Sequence, residues 1–162
     1  MKSVYQKFLN DAELLSSDIK KQFKVWQKKK PKNLDSLFHT EHTNAFKQID
    51  CLSCANCCKT TSPIFRDVDI KRISKSFRIK ESELIASYLK LDDENDYVLR
   101  KSPCSFLNED NTCSIYDVRP LACREYPHTD RKNMVQILDI TEKNTLICPA
   151  VAKITQEILK KI

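Results

Sequence analysis

A mainly helical α+β fold is predicted by three features of this sequence. Apolar residues recur at three- and four-residue spacing at both ends of the chain, the signature of amphipathic helices. Short strand-like stretches flank a polar turn in the middle. The length, 162 residues, suits one domain with a real core, and neither an internal repeat nor a low-complexity tract interrupts it.

Taken in order, Tyr5, Phe8, Ala12, Leu15, Ile19, Phe23 and Trp26 trace one apolar face over residues 4–27, which predicts a long first helix. Lys20, Lys24 and Lys28 form a stripe beside it, and "KKKPK" stops the helix at Pro31. A second helix over about 34–49 would bury Leu34, Leu37, Phe38, Ala45 and Ile49. "TTSP" reads as a loop, followed by helices at about 67–76, with Asp67 as N-cap, and 81–90. "DDEND" at 92–96 is a solvated turn. "YVLRK" and "CSFL" look like short strands, with "NEDN" at 108–111 closing a hairpin around Cys104 and Cys113. Asp117 is placed to cap a short helix over "VRPLAC", and "MVQILDI" alternates as a strand. A final helix opens at Pro149, which tolerates the first helical position, with Val151, Ile154, Ile158 and Ile162 inward.

Composition narrows function. The chain has no glycine, where about eleven would be average for this length. The phosphate-cradling GxxxxGK[ST] loop and the GxGxxG dinucleotide turn both need glycine and are excluded. Backbone positions with positive φ must fall to Asn and Asp, as in "NEDN". The net charge of +6 is local, because residues 1–32 carry nine lysines against three acids and the remainder is neutral. No apolar run approaches the ~18 residues of a membrane span. The N-terminal "MKSVYQKFLNDAELLSSDIKK" has no signal-like apolar core. A cytoplasmic location is expected, where thiols stay reduced and disulfides are uncommon.

Eight cysteines then stand out: Cys51, Cys54, Cys57, Cys58, Cys104, Cys113, Cys123 and Cys148. Four of them fill "CLSCANCC" at 51–58. A thiol ligates metal as thiolate, and with a free pKa near 8.5 it is mostly protonated at neutral pH. A bound cation removes the proton and relieves the repulsion between neighbouring sulfurs. CxxC spacing suits this, since one turn of backbone brings two sulfurs to one ion. On a helical wheel Cys51, Cys54 and Cys58 fall within about 60° while Cys57 swings away, and in a strand Cys57 and Cys58 face opposite ways. The adjacent pair therefore splits, with one member serving a second centre or backing the first. Two zinc sites of four thiolates would use the cysteines evenly. C-x2-C-x2-C with a remote "CP", here Cys148-Pro149, also matches the bacterial arrangement for a 4Fe-4S cluster. Zinc and iron both stay open, as does one centre against two.

"CLSCANCC", "PCSFLNEDNTCSIYDVRPLACREYP" and the distal "CP" resemble the CxxCxxCC cysteine-cluster family of zinc- or iron-chelating domains. The resemblance spans roughly residues 50–150, and all eight cysteines fall in the family's order. It implies a small metal-stapled domain with the eight cysteines as metal ligands. Flagellin lysine N-methylase carries a related cluster within a longer chain. The domain reading is a basic N-terminal helix at 1–32 and a cysteine-cluster metal-binding domain at 33–162. The function expected is metal binding with a structural, electron-transfer or metal-handling role. One alternative is an iron–sulfur enzyme of methyltransferase or redox type. The other is a zinc-scaffolded nucleic-acid or partner-binding module using the lysines of 1–32.

Other residues compete with blander roles. Arg119 and Arg124 flank Cys123 and could donate to its sulfur, or serve as ordinary surface arginines. Tyr116 and Tyr126 read as core aromatics with bonded hydroxyls. His39 and His42, three apart on one helix, and His128 after "REYP" are minor ligand candidates, with solvated or hydrogen-bonded imidazole the bland reading.

Overall fold

The computed structural model describes residues 1–161, so Ile162, expected on an inward face, lies outside the described residues. The first helices are α1 (Ser3–Leu14), α2 (Ser16–Lys29) and α3 (Leu34–Phe46), followed by two single turns, α4 (Cys51–Cys54) and α5 (Asn56–Thr60). Next come α6 (Asp67–Phe77), α7 (Glu81–Tyr88), β1 (Leu89–Leu91) and β2 (Tyr97–Leu99). A 3-10 turn at Tyr116–Val118 precedes α8 (Leu121–Glu125), and another at Met134–Ile137 precedes α9 (Leu138–Asn144) and α10 (Pro149–Leu159). The fold is thus α+β and mainly helical. No helix among the described residues is long and apolar enough to cross a membrane.

The chain divides into two compact units: Met1–Cys54 joined by the chain from Pro127 onward, and Ala55–Tyr126. In the first unit, α10 packs on α1 and α3 and is buried along most of its length, with Val151, Ile154 and Ile158 fully inside. Pro149 opens it as the sequence predicts. The single helix expected over 4–27 is instead two, because the chain turns at Leu15 (φ −89, ψ 2). The break falls just before Ser16, Ser17 and Asp18, residue types that favour helix starts. Most of the apolar stripe survives it, since Tyr5, Ala12, Ile19, Phe23 and Trp26 are buried, but Phe8 is only partly buried, with Leu9 inside instead, and Leu15 is 38% exposed. Phe23, Trp26 and Phe38 pack ring against ring, with centroids 5.3–6.5 Å apart. Each such ring contributes about 1.5–3 kcal/mol by burial. These aromatics therefore serve the core, while Lys20, Lys24 and Lys28 stand exposed.

"MVQILDI" is not the expected strand. It forms a 3-10 turn running into α9, and its buried residues, Met134, Leu138 and Thr141, follow the i, i+4, i+7 pattern of a helix.

In the second unit, α6 and α7 match the predicted helices, except that Arg66 and not Asp67 is the N-cap residue of α6, and α7 gives way to β1 at Leu89. β1 and β2 pair antiparallel in the register Leu89↔Leu99, Lys90↔Val98 and Leu91↔Tyr97, closed by "DDEND". The "CSFL" segment is no strand; it contributes one bridge, Leu107↔Cys113, around the "NEDN" turn. Phe65, Ile70, Ile73, Leu84, Leu89, Leu99, Phe106 and Ile115 form this unit's core.

Asn95, Asn111 and Asn133 take positive φ, as the missing glycines require, but so do Lys30, Ala55, Arg78 and His128. Lys30 and Arg78 end helices in this conformation, a position where glycine is the usual choice. Ala55 (φ 48, ψ 21) lies inside "CLSCANCC", 6% exposed, and its left-handed turn divides the run into α4 and α5. For an L-residue with a Cβ that conformation costs roughly 1–2 kcal/mol, against a glycine entropy penalty of about 0.5–1 kcal/mol. Ala55→Gly is expected to stabilise the metal-loaded protein by about 0.5–1 kcal/mol in urea unfolding. A loss of stability would refute the strain assignment.

Candidate metal centre

The first unit holds Cys51, Cys54 and Cys148. Its α1 fixes the turn that carries the first two. Tyr5, 1% exposed, accepts the Asp50 N–H at 3.1 Å and shares a hydrogen bond of 3.2 Å with Ser53 Oγ. Ser53 Oγ also donates to the Asp50 carbonyl at 3.0 Å, and Asp50 Oδ1 accepts the Leu52 N–H at 3.0 Å. Cys54 is buried with Tyr5, Ile49 and Ala150, and Cys148 packs against the same cluster. Cys148 is the N-cap residue of α10, its own N–H donating to the Asn144 carbonyl at 2.8 Å. Burial pushes its thiol up to about 11, and Cys51 and Cys54 add repulsion, while the Ala150 and Val151 N–H groups pull the other way. Those amides and the positive end of α10 favour the thiolate once a cation is there to share it.

The second unit holds Cys57, Cys58, Cys104, Cys113 and Cys123. Cys57 and Cys58 sit on α5 with their sulfurs 4.0 Å apart, and the Cys57 hydrogen bond lowers Cys58 to about 7, against burial. The Cys104 N–H donates to the Cys58 carbonyl at 2.8 Å, tying the two segments together. Cys113 is bridged to Leu107, and the Leu107 N–H donates to the Cys104 carbonyl at 3.1 Å. Burial raises Cys104 and Cys113, and neighbouring thiols raise them further. Cys123 on α8 is pushed up to about 12, first by burial and then by Cys58, Cys104 and Cys113, with Arg119 opposing. Four sulfurs from four separate segments thus lie within electrostatic reach of one another.

This donor set has the chemistry of a zinc or iron–sulfur site: soft thiolates, half-buried, destabilised as anions until a cation joins them. The closing of the sulfurs is not preformed, since no three His, Cys, Asp or Glu side chains among the described residues make a group spaced for an ion. An ion held by these thiols would need side-chain rotation to complete its geometry, as in domains where binding and ordering are one event.

Of the two readings of the arginines flanking Cys123, the structure shows bonds to neighbouring carbonyls. Arg119 Nη1 donates to the Tyr116 carbonyl at 2.6 Å and its guanidinium stacks 3.8 Å over the Tyr116 ring. Arg124 donates to the carbonyls of Arg119 and Asp117 at 3.2 and 3.3 Å. Both arginines brace backbone. Tyr116 is 57% exposed and not a core residue; Tyr126 is half-buried just past α8.

Asp117 does not cap α8. That task falls to Asp69, a residue that sequence reasoning passed over. Asp69 is 0% exposed; its Oδ1 accepts the Leu121 N–H at 3.2 Å and Arg72 Nη2 at 2.6 Å, and its Oδ2 accepts the Arg66 N–H at 3.1 Å. Arg72 in turn donates to the carbonyls of Val118 and Arg119 at 3.1 and 2.8 Å. One buried ion pair on α6 therefore holds the whole "VRPL" approach to Cys123. Burial raises the Asp69 carboxyl, but the Arg72 and backbone hydrogen bonds outweigh it and hold the group below its ordinary value. The available signal was an Asp and an Arg three apart on a predicted helix.

The histidines join loop to helix. His39 Nε2 is bonded to the Arg131 carbonyl at 2.8 Å, and His42 Nδ1 to Thr129 Oγ1 at 2.8 Å. Asp35 on the same face of α3 accepts the Asn133 and Met134 N–H groups at 2.7 and 2.8 Å. Burial lowers His42, with Asp130 opposing, so the neutral ring is favoured. His128 takes a left-handed turn at the head of this loop.

The family model described as "CxxCxxCC: putative zinc- or iron-chelating domain" matches residues 50–149, a span that holds all eight cysteines. The chain belongs to the CxxCxxCC family. Comparison with curated proteins and with solved structures finds no match. For this CxxCxxCC protein, the family description points to chelation of zinc or iron, and α1, α6 and α10 are the elements that steer the cysteine-bearing segments.

Proposed function

We propose that this chain binds zinc or iron through thiolates drawn from Cys51, Cys54, Cys57, Cys58, Cys104, Cys113, Cys123 and Cys148, and that the metal acts first as a structural staple. The observation that carries this reading is the set Cys58, Cys104, Cys113 and Cys123. Four half-buried thiols repel one another as anions, yet backbone bonds tie the Cys58, Cys104 and Cys113 segments together, and Asp69 and Arg72 fix the approach to Cys123. A divalent ion or cluster turns that repulsion into attraction. Fully thiolate-ligated ions leave no position for substrate, which favours a structural role over catalysis. Thiols of this kind need a reducing compartment, so the reading places the protein in the cytoplasm.

Anaerobic purification, elemental analysis and an absorption spectrum on one sample test it. At least one equivalent of zinc, or iron with visible charge-transfer absorption, is expected per chain. Metal-free protein that stays folded and refuses both metals would refute the reading.

A further inference from the structure

The sulfurs are shared between the two units, and each group is anchored by its own unit's core. Cys54 and Cys148 pack on the cluster of Tyr5, Ile49 and Ala150. Cys104 and Cys113 pack on the separate cluster around Phe65, Phe106 and Ile115. The chain passes from one unit to the other at Cys54–Ala55, where the left-handed Ala55 turns it between α4 and α5. A one-turn helix on each side of that point commits Cys51 and Cys54 to one unit and Cys57 and Cys58 to the other.

We infer that the chain carries two metal centres that load independently, one on Cys58, Cys104, Cys113 and Cys123 and the other on Cys51, Cys54 and Cys148. This rests on the metal-binding reading above and deepens it. The two centres differ in kind. The first has four sulfurs and is closed, the arrangement of structural sites. The second has three from these residues, so its remaining position belongs to another ligand, the arrangement of exchangeable or reactive sites. The backbone follows the same partition, since Cys51 and Cys54 share the single turn α4, and the Cys104 N–H donates to the Cys58 carbonyl at 2.8 Å within the other unit. Cys57 is not required by the four-sulfur set, although its sulfur lies 4.0 Å from that of Cys58.

Zinc alone is the probe. The full chain and two triple variants, Cys104→Ser/Cys113→Ser/Cys123→Ser and Cys51→Ser/Cys54→Ser/Cys148→Ser, are loaded with zinc, desalted and analysed for zinc per chain. Two equivalents are expected for the parent and one for each variant, with the second centre giving up its ion faster to a competing chelator. One equivalent in the parent, or loss of both ions in a variant that keeps its far-ultraviolet dichroism, would overturn the inference. Should a variant fail to fold, cobalt titration of the parent decides the matter. Two successive thiolate-to-metal charge-transfer steps, the larger from the four-sulfur set, support the inference, and one step ending at one equivalent sinks it. A parent that holds one ion leaves the metal-binding reading standing while removing this one; a parent that takes up no metal removes both.

Discussion

Stripping the metal with a strong chelator is expected to unfold Ala55–Tyr126, at a cost on the order of 10 kcal/mol, the scale of structural zinc sites. Domains below roughly 70–80 residues rarely draw more than about 3–5 kcal/mol from an apolar core, and this unit falls at that limit. Its core consists of eight buried side chains served by short helices and a three-residue hairpin. On the proposed function, the segments carrying Cys104, Cys113 and Cys123 would then depend on the ion. Hydrogen exchange read by mass spectrometry checks this. Peptides from 100–125 should lose protection on chelation, while α3 and α10 retain theirs through the core that Phe23, Phe38, Ile154 and Ile158 build. Unchanged protection over 100–125 in metal-free protein would contradict it.

Asp69→Ala should cost about 3 kcal/mol in urea unfolding and weaken metal binding tenfold or more. Breaking a buried ion pair costs roughly 3–5 kcal/mol. The lower end applies because Arg72 is 32% exposed and can regain water. The affinity loss follows from position, since outer residues that orient ligands are worth about 10–100-fold in metal affinity, and Asp69 pins the Leu121 N–H two residues before Cys123. The pH dependence has a definite sign. The folded carboxyl titrates below its unfolded value, so its contribution is complete above the unfolded pKa and is lost as pH falls through the folded one. The stability gap between the parent and Asp69→Asn should therefore close on acidification, and a gap that widens would rule out the charged pair as its source.

The parts of this fold legible in the sequence are those governed by local rules. Pro149 marked the start of α10, and the asparagines at 95 and 111 marked turns. The break at Leu15 had no proline or glycine to announce it. "MVQILDI" fits periods of two and of four as a string, and the exposure of Gln136 and Ile140 beside buried Met134 and Leu138 decides for the helix. The eight cysteines were legible as ligand candidates, but not their division, which depends on an alanine adopting a conformation that its side chain disfavours. Asp69 was hidden because its decisive partner lies 52 residues away.

The lone tryptophan, Trp26, is 5% exposed among Phe23 and Phe38 in the unit that Ala55–Tyr126 interrupts. Its emission is a built-in lamp for that half of the molecule, while the ultraviolet bands of metal–sulfur bonds at Cys104, Cys113 and Cys123 would light the other. Heated under both colours at once, a protein whose halves melt together gives coincident curves, and one whose halves part company gives two.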